Sequence, residues 1–118
     1  MDNRRIQQLE EFLRTNPDNA LFQYSLGLEY LRIGNAEKAI LPLRAAIRLQ
    51  ADYSAAYREL GKALTQAGLT EEAAHTYREG INVAKGRGDL QTAREMQVFL
   101  NRITGEKGSK DQETGCPN

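Results

Sequence analysis

The chain repeats itself with a period of 34 residues, and this repeat constrains the fold more than any other feature. A repeat of this kind is typical of arrays in which each unit is one supersecondary element that buries its apolar face against its neighbours. Residues 19–52 aligned with residues 53–86 give seven identical pairs: Leu26/Leu60, Gly27/Gly61, Gly34/Gly68, Glu37/Glu71, Ala39/Ala73, Arg44/Arg78 and Ile47/Ile81. We therefore expect two stacked units of the same structure.

Each unit is predicted to contain two helices. In the first unit, apolar residues recur at helical spacing in two sets, which are Leu26, Tyr30 and Ile33, then Ile40, Leu43 and Ile47. Gly34 and Gly68 separate the two helices, at the position where a helix end favours a left-handed backbone conformation. Asp18 and Asp52 stand one period apart, where each is predicted to be the N-cap of a first helix. The pattern predicts helical hairpins.

These residues resemble the tetratricopeptide repeat, in particular small bacterial-type domains of that family. The signature of the family places Leu-Gly and an aromatic residue in the first helix, and a small and an aromatic residue in the second. The matching residues are Leu26-Gly27-x-x-Tyr30 with Ala39-x-x-x-Leu43, and Leu60-Gly61-x-x-Leu64 with Ala73-x-x-x-Tyr77. The signature also has an aromatic residue three positions before the leucine and a proline at the end of the repeat. The chain departs from it at Gln23, which takes the aromatic position in the first unit, and at Ala51 and Lys85, which replace the proline. The resemblance implies an all-α, right-handed superhelical array of antiparallel helix hairpins.

Two glycines lie in the middle of predicted helices, where glycine costs about 1 kcal/mol relative to alanine. Gly27 and Gly61 recur at the same place in each unit. Gly27 is paired with Ala39, and Gly61 with Ala73, at facing positions of the two helices. These pairs of small residues predict a close approach of the two helices in each unit. Closer packing of the helices then offsets the cost of the glycines.

The two ends of the array depart from the repeat. Residues 1–16 fit the register of a second helix but carry Arg5 and Phe12 in slots that hold alanine in the first unit, which predicts a half-repeat that caps the array. Residues 88–104 form a closing amphipathic helix at an offset of 36 residues, with the extra residues placed in a loop at 86–88. The predicted domain spans residues 1–104 and has about six helices. Residues 105–118 are polar and glycine-rich, which predicts a disordered tail.

Composition argues against several classes of function. The 16 basic and 16 acidic residues cancel, which disfavours a general grip on nucleic acid. No apolar run approaches the roughly 18 residues of a membrane span, and the start lacks a signal-like apolar stretch, so we expect a cytoplasmic protein without membrane insertion. His75 and Cys116 are each the single residue of their type. We therefore expect no metal site, no cofactor, no catalytic residue and no enzyme activity.

The resemblance also implies where the chain binds a partner. In tetratricopeptide proteins the first helix of each unit lines a concave face, which usually binds a peptide or another protein. By register, the candidate binding residues on this face are Leu21, Tyr24, Leu28, Arg32, Arg58, Lys62, Gln66 and Arg94. The face has an apolar end at Tyr24 and Leu28 and a basic end at Arg58, Lys62 and Arg94. It suits a segment with an apolar anchor and one or two carboxylates.

Two alternatives for these side chains stay open at the level of sequence. Arg58 and Lys62 lie one turn apart and could simply be solvated, and Tyr24 and Leu28 could pack beneath the N-terminal helix. Some members of the family clamp the carboxylates of chaperone tails with lysine and asparagine. The corresponding slots here hold Tyr24, Leu28 and Glu59, so that clamp is not expected.

A structural, self-associating role is the alternative to a binding module. The half-repeat has no helix before it, and its unpartnered face, including Phe12, could dock on a second copy. This alternative predicts a weak homodimer, whereas the binding module alone predicts a monomer.

Overall fold

The computed structural model describes residues 3–105, which form six α-helices and no strand. The helices are α1 (Arg4–Thr15), α2 (Ala20–Arg32), α3 (Ala36–Leu49), α4 (Ser54–Gln66), α5 (Thr70–Arg87) and α6 (Leu90–Thr104). Each helix packs against the next one in sequence, as short connections require. The helices α2, α4 and α6 also contact one another in succession, and we call them the inner layer. The helices α1, α3 and α5 form the outer layer. This array of hairpins confirms the predicted all-α fold.

The core lies between the two layers and runs the length of the array. The largest fully buried side chains come from α3, α4, α5 and α6, and they are Leu43, Leu64, Tyr77 and Met96. Helix α1 buries Ile6, Leu9 and Leu13 against the same core. The half-repeat at the N-terminus and the closing helix at the C-terminus therefore both contribute apolar surface to one continuous core.

Glycines with left-handed backbone end the first helix of each hairpin. Gly34 has a φ of +83° and Gly68 a φ of +84°, a conformation that glycine adopts without the strain of a side chain. The following residue donates its N–H back into the helix at each site: from Asn35 to the Tyr30 carbonyl at 2.8 Å in α2, and from residue 69 to residue 64 at 2.8 Å in α4. The predicted helix breaks are confirmed.

The predicted aspartate N-caps are wrong. Helix α2 is capped by Asn19, whose side-chain oxygen accepts a hydrogen bond from the backbone N–H three residues later at 2.9 Å. Helix α4 has Tyr53 at its N-cap position and no side-chain cap. The Asp52 carboxylate instead lies 3.1 Å from Nη1 of Arg87, so it ties the start of α4 to the end of α5. Asp18 lies one residue before the cap.

The mid-helix glycines pack against large side chains of the next helix. A Cβ atom added to Gly27 would stand 2.5 Å from Cγ of Leu43, and one added to Gly61 would stand 2.5 Å from Cζ of Tyr77. The space of the missing Cβ is thus filled by a leucine or a ring. The close approach was predicted correctly, but its partners were not, because the expected partners are buried beside this contact, at Ala39 and Ala73.

Helix α5 is longer than its counterpart α3, with 18 residues against 14. Gly86 and Arg87 belong to the helix, and Gly88, with a φ of +82°, ends it. The loop predicted at 86–88 is therefore wrong, because the extra residues lengthen α5 instead. The closing helix begins at Leu90 and ends before Gly105. The rest of the predicted tail lies outside the described residues.

Candidate functional site

The eight predicted binding residues lie on the inner layer, but their exposure differs. Leu21 is 58% exposed. Half-buried side chains are Tyr24, Leu28, Arg58 and Lys62, and exposed ones are Arg32, Gln66 and Arg94. Tyr24 and Leu28 lie on α2, and Arg58 and Lys62 lie on α4. Tyr24 packs against the core, and ion pairs hold Arg58 and Lys62 in place.

Arg58 is the centre of an ion-pair network that joins α4 to α6. Its Nε donates to Glu59 at 2.9 Å, and its Nη1 donates to Glu95 at 2.8 Å. Nζ of Lys62 lies 3.2 Å from the second oxygen of Glu59. The Glu59 side chain is 8% exposed and that of Arg58 is 23% exposed, so these charges are largely shielded from water. Two cations face two carboxylates, and the network carries no net formal charge.

The network shifts the pKa values of Arg58 and Glu95. Burial alone would lower the pKa of Arg58, but hydrogen bonds and charge attraction from Glu59 and Glu95 outweigh it and raise that pKa. Hydrogen bonds from Gln91 and Arg58 lower the pKa of the Glu95 carboxyl. Both shifts favour the charged forms, as expected for an ion pair that forms in the folded protein.

These contacts answer the first open question, since Arg58 and Lys62 are paired and not simply solvated. Glu95 is not among the residues predicted from sequence, and Glu59 enters that prediction only as a departure from a known clamp. The sequence does contain a signal for this contact, because Glu59 and Glu95 are separated by 36 residues, the same offset that relates α4 to α6. Equivalent positions in successive inner helices therefore carry the two carboxylates.

An aromatic pair lies at the α2 end of the network. The rings of Tyr24 and Tyr53 are 4.8 Å apart between centroids and tilted by 35°. Burial and the negative charge of Glu59 raise the pKa of Tyr24, while a hydrogen bond and charge attraction from Arg58 oppose this rise. Tyr24 therefore packs against the start of α4 and beside Arg58. This contact is with the second repeat, not with the N-terminal helix that the sequence analysis considered.

A second aromatic contact lies at the α6 end. Nζ of Lys62 lies 6.0 Å from the ring centroid of Phe99, and Cζ of Arg102 lies 5.7 Å from the same centroid. Distances of this size allow a cation–π attraction. Phe99 also stacks beside the buried ring of Tyr77, with centroids 5.9 Å apart. On this helix the residue predicted from sequence is Arg94, and Phe99 is not among the predicted residues.

Two of the predicted basic residues lie in other surroundings. Arg94 borders a depression of about 290 Å³ between α5 and α6, together with Lys85 and Leu90. Arg32 pairs with Glu29 one turn earlier at 2.5 Å, and Glu29 also lies 3.1 Å from Nε of Arg5 in α1. The structure therefore gathers the centre of the predicted site into one cluster and leaves its two outer arginines apart from it.

Within residues 3–105, no three histidine, cysteine, aspartate or glutamate side chains are grouped so that they could hold a metal ion. None of the six helices described has both the length and the apolar character needed to cross a membrane.

Comparison with known proteins agrees with this architecture. A family model described as tetratricopeptide repeat matches residues 1–84. The chain belongs to the tetratricopeptide repeat family. It is 38% identical over 98 residues to the TPR repeat-containing protein PA0015 of Pseudomonas aeruginosa, an alignment that covers 83% of this chain and 93% of that protein. The predicted family is therefore confirmed.

Two solved structures are also similar to this chain. The solution structure of protein BPP2914 from Bordetella parapertussis is 33% identical, covers 92% of this chain and 94% of that one, and gives a TM-score of 0.74. A tetratricopeptide repeat domain protein from Salinibacter ruber is 28% identical, with coverage of 78% and 93% and a TM-score of 0.68. Tetratricopeptide repeat proteins act in general as protein–protein interaction modules and are typically not catalysts. As a member of the family, the chain shares this general role as a protein–protein interaction module.

Proposed function

We propose that the chain is a non-catalytic scaffold that binds a segment of another protein across α2, α4 and α6. The observation that carries this proposal is the cluster of Tyr24, Arg58 and Lys62, which links the three inner helices through contacts with Glu95 and Phe99. Tyrosine and arginine are the residue types that dominate binding energy at protein interfaces. Here both are held by packing before any partner arrives, which reduces the entropy lost on binding.

The apolar end is expected to supply most of the affinity. Leu21 is 58% exposed, and Tyr24 and Leu28 beside it are half-buried. Covering a leucine side chain of this exposure contributes on the order of 1 kcal/mol of apolar transfer free energy. An apolar side chain of the partner that lies against these three residues would therefore anchor it.

The charged end is expected to set the orientation of the partner. The Glu95 side chain is 38% exposed, so it is the more accessible of the two carboxylates that Arg58 holds. A carboxylate on the partner would take the place of Glu95, and one exposed ion pair would be exchanged for another. Such an exchange changes the free energy by only about 1 kcal/mol or less. Charge therefore selects the register of the segment, while apolar contact supplies the binding energy.

A matched pair of leucine variants tests this proposal. Leu21→Asp places a charge on the inner layer, and Leu41→Asp places the same charge on the outer layer, where Leu41 is 76% exposed. Affinity capture from a lysate of the source organism, with quantification by mass spectrometry, compares the two with the wild type. We expect a partner retained by the wild type and by Leu41→Asp, with about tenfold less retained by Leu21→Asp.

The matched design separates binding from folding, because both leucines are exposed and neither change should alter the circular dichroism spectrum. Equal retention by both variants would contradict binding at the inner layer. Loss of the partner from Leu41→Asp alone would place the site on the outer layer.

Self-association through the half-repeat receives less support. The ring of Phe12 packs on Phe22 of α2, with centroids 4.3 Å apart, and Phe12 is 36% exposed. Much of its apolar surface is therefore used within the chain. Solution mass measured over a concentration series distinguishes the two roles, since a dimer that dissociates on dilution would favour self-association.

A further inference from the structure

A groove of about 420 Å³ lies where α3, α4 and α5 meet, away from the cluster of Arg58. We call it the acidic groove. Its wall is one side of α5, which carries Glu71, Glu72, His75 and Glu79. These residues occupy successive turns of the helix, so their side chains line up along it. The proposed function does not use any of them.

The wall carries an excess of negative charge. The Glu72 carboxylate lies 3.1 Å from Nη2 of Arg44 on α3, and the Glu79 carboxylate lies 3.4 Å from Nε2 of His75. Glu71 makes no ion pair within the part of the chain that the structure describes. Three carboxylates thus face one arginine and one histidine. Burial, together with the negative charge of Glu79, raises the pKa of Tyr57 at the floor of the groove.

The floor of the groove is largely apolar. Ile47, Tyr57 and Leu60 contribute apolar surface. Thr76 is 8% exposed and lines the groove, and its hydroxyl has no hydrogen-bond partner among residues 3–105. Leaving a buried hydroxyl unpaired is unfavourable, so a native protein is expected to supply such a group with a partner, for example a bound water, ion or ligand. This observation is independent of the charges on the wall, and it points to an occupant with polar atoms.

The first repeat shows that folding does not require this acidic wall. The same hairpin forms from α2 and α3, where the positions one period before Glu72, His75 and Glu79 hold Lys38, Leu41 and Ala45. Both second helices pack in the same way with different charges. Glu72 and Glu79 are therefore not demanded by the repeat architecture, whereas Glu71 has an identical counterpart in Glu37, and all three glutamates of α5 line a depression with an apolar floor.

We propose that the acidic groove is a second interaction site, which binds a lysine or arginine side chain presented by an apolar segment of another protein. The cation would lie between Glu71 and Glu79, and its aliphatic stem would pack on Tyr57 and Ile47. A cation above a tyrosine ring gains additional electrostatic attraction. Charge complementarity chooses this occupant, since the wall repels the phosphates of nucleic acids and anionic lipids. The scaffold would then hold two segments, one on each layer.

The test uses two short acetylated peptides of alternating residues, one of leucine and lysine and the other of leucine and glutamate. Each is titrated into the isotope-labelled full chain while amide chemical shifts are recorded. We expect the lysine peptide to shift resonances along α5 between Glu71 and Glu79, and the glutamate peptide to leave them unchanged. Shifts from the lysine peptide that fall outside α3, α4 and α5 would overturn the proposal.

Matched variants identify the carboxylates involved. The double variant Glu71→Gln/Glu79→Gln removes two charges from the wall and is expected to weaken binding of the lysine peptide by about tenfold, since an exposed pair contributes a factor of up to about five. Glu37→Gln is the control, because Glu37 is the exposed counterpart of Glu71 in the first repeat. Equal affinity of the two variants would show attraction to general negative charge and would refute a built site.

The buried hydroxyl gives a second, independent measurement. Thr76→Val keeps the shape of the side chain and removes the unpaired polar group, so the free protein should become more stable to heat. If the hydroxyl serves the bound segment, the affinity for the lysine peptide should fall by about two- to fivefold in the same variant. A variant that binds as well as the wild type would contradict the part assigned to Thr76.

Discussion

Alanine at Gly61 tests whether the hairpin of α4 and α5 depends on a missing Cβ atom. In an open helix, glycine to alanine stabilises by about 1 kcal/mol. At this position the new Cβ would stand 2.5 Å from Cζ and 2.6 Å from Cδ1 of Tyr77, whose side chain is 1% exposed. A buried ring cannot move into solvent, so α4 and α5 must separate. Overpacking of this kind costs about 1–3 kcal/mol, and after the gain in helix propensity we expect a net destabilisation of up to about 2 kcal/mol.

Gly86→Ala provides the matched control. Gly86 lies inside α5 without a positive φ, and a Cβ built on it meets no heavy atom within 4 Å. The same substitution is therefore expected to stabilise the protein here by about 0.5–1 kcal/mol. Urea unfolding followed by circular dichroism measures both variants, with the slope of free energy against urea as the check that compactness is unchanged.

Opposite signs for the two substitutions would support the packing argument. Gly27→Ala extends the test to the first repeat, where the added Cβ would stand 2.5 Å from Cγ of Leu43. A smaller loss is expected there, because leucine can change rotamer more readily than a ring of tyrosine can shift. If Gly61→Ala stabilises the protein as much as Gly86→Ala does, helix propensity governs the position and the reasoning fails.

Two further predictions concern buried polar groups. Burial raises the pKa of Tyr77 to about 12, so stability that is full below pH about 10 should fall as pH rises toward about 12. Tyr77→Phe removes the hydroxyl that titrates, so the free energy of unfolding should fall by on the order of 2 kcal/mol less over this pH range. Urea unfolding at a series of pH values measures the difference. Arg58→Ala leaves the buried Glu59 without its main partner and should cost about 1–3 kcal/mol, whereas Glu95→Gln, at an exposed carboxylate, should cost less than about 1 kcal/mol in the same assay. Equal losses from these two variants would contradict the arrangement of the network.

The order of helices could be predicted from sequence because it rests on local rules. Gly34 and Gly68 end helices through a backbone conformation that depends on one residue and its nearest neighbours. The apolar positions at helical spacing then fix which side of each helix is buried. Cap residues proved harder to predict, since Asp52 is a good N-cap by type but is drawn to Arg87 across the fold.

The contacts of the candidate site could be predicted only in part. Register placed Tyr24, Arg58 and Lys62 on the inner layer, and the structure brings these residues together. Register does not say how far a long side chain reaches or in which direction. The pairing of Arg58 with Glu95 on the next inner helix depends on the rotamers of both residues and on the spacing between α4 and α6.

Comparison of the two repeats separates positions that build the fold from those free to act on the surface. Gly27 and Gly61 are identical because each must leave room for a side chain of the next helix. Leu28 and Lys62 occupy equivalent positions one period apart, yet one is apolar and the other charged. Since the two residues occupy the same position in two hairpins of the same structure, packing does not demand either residue type. The change from apolar to charged along the inner layer is therefore free to match a partner, and in the proposed function it would give the bound segment a direction.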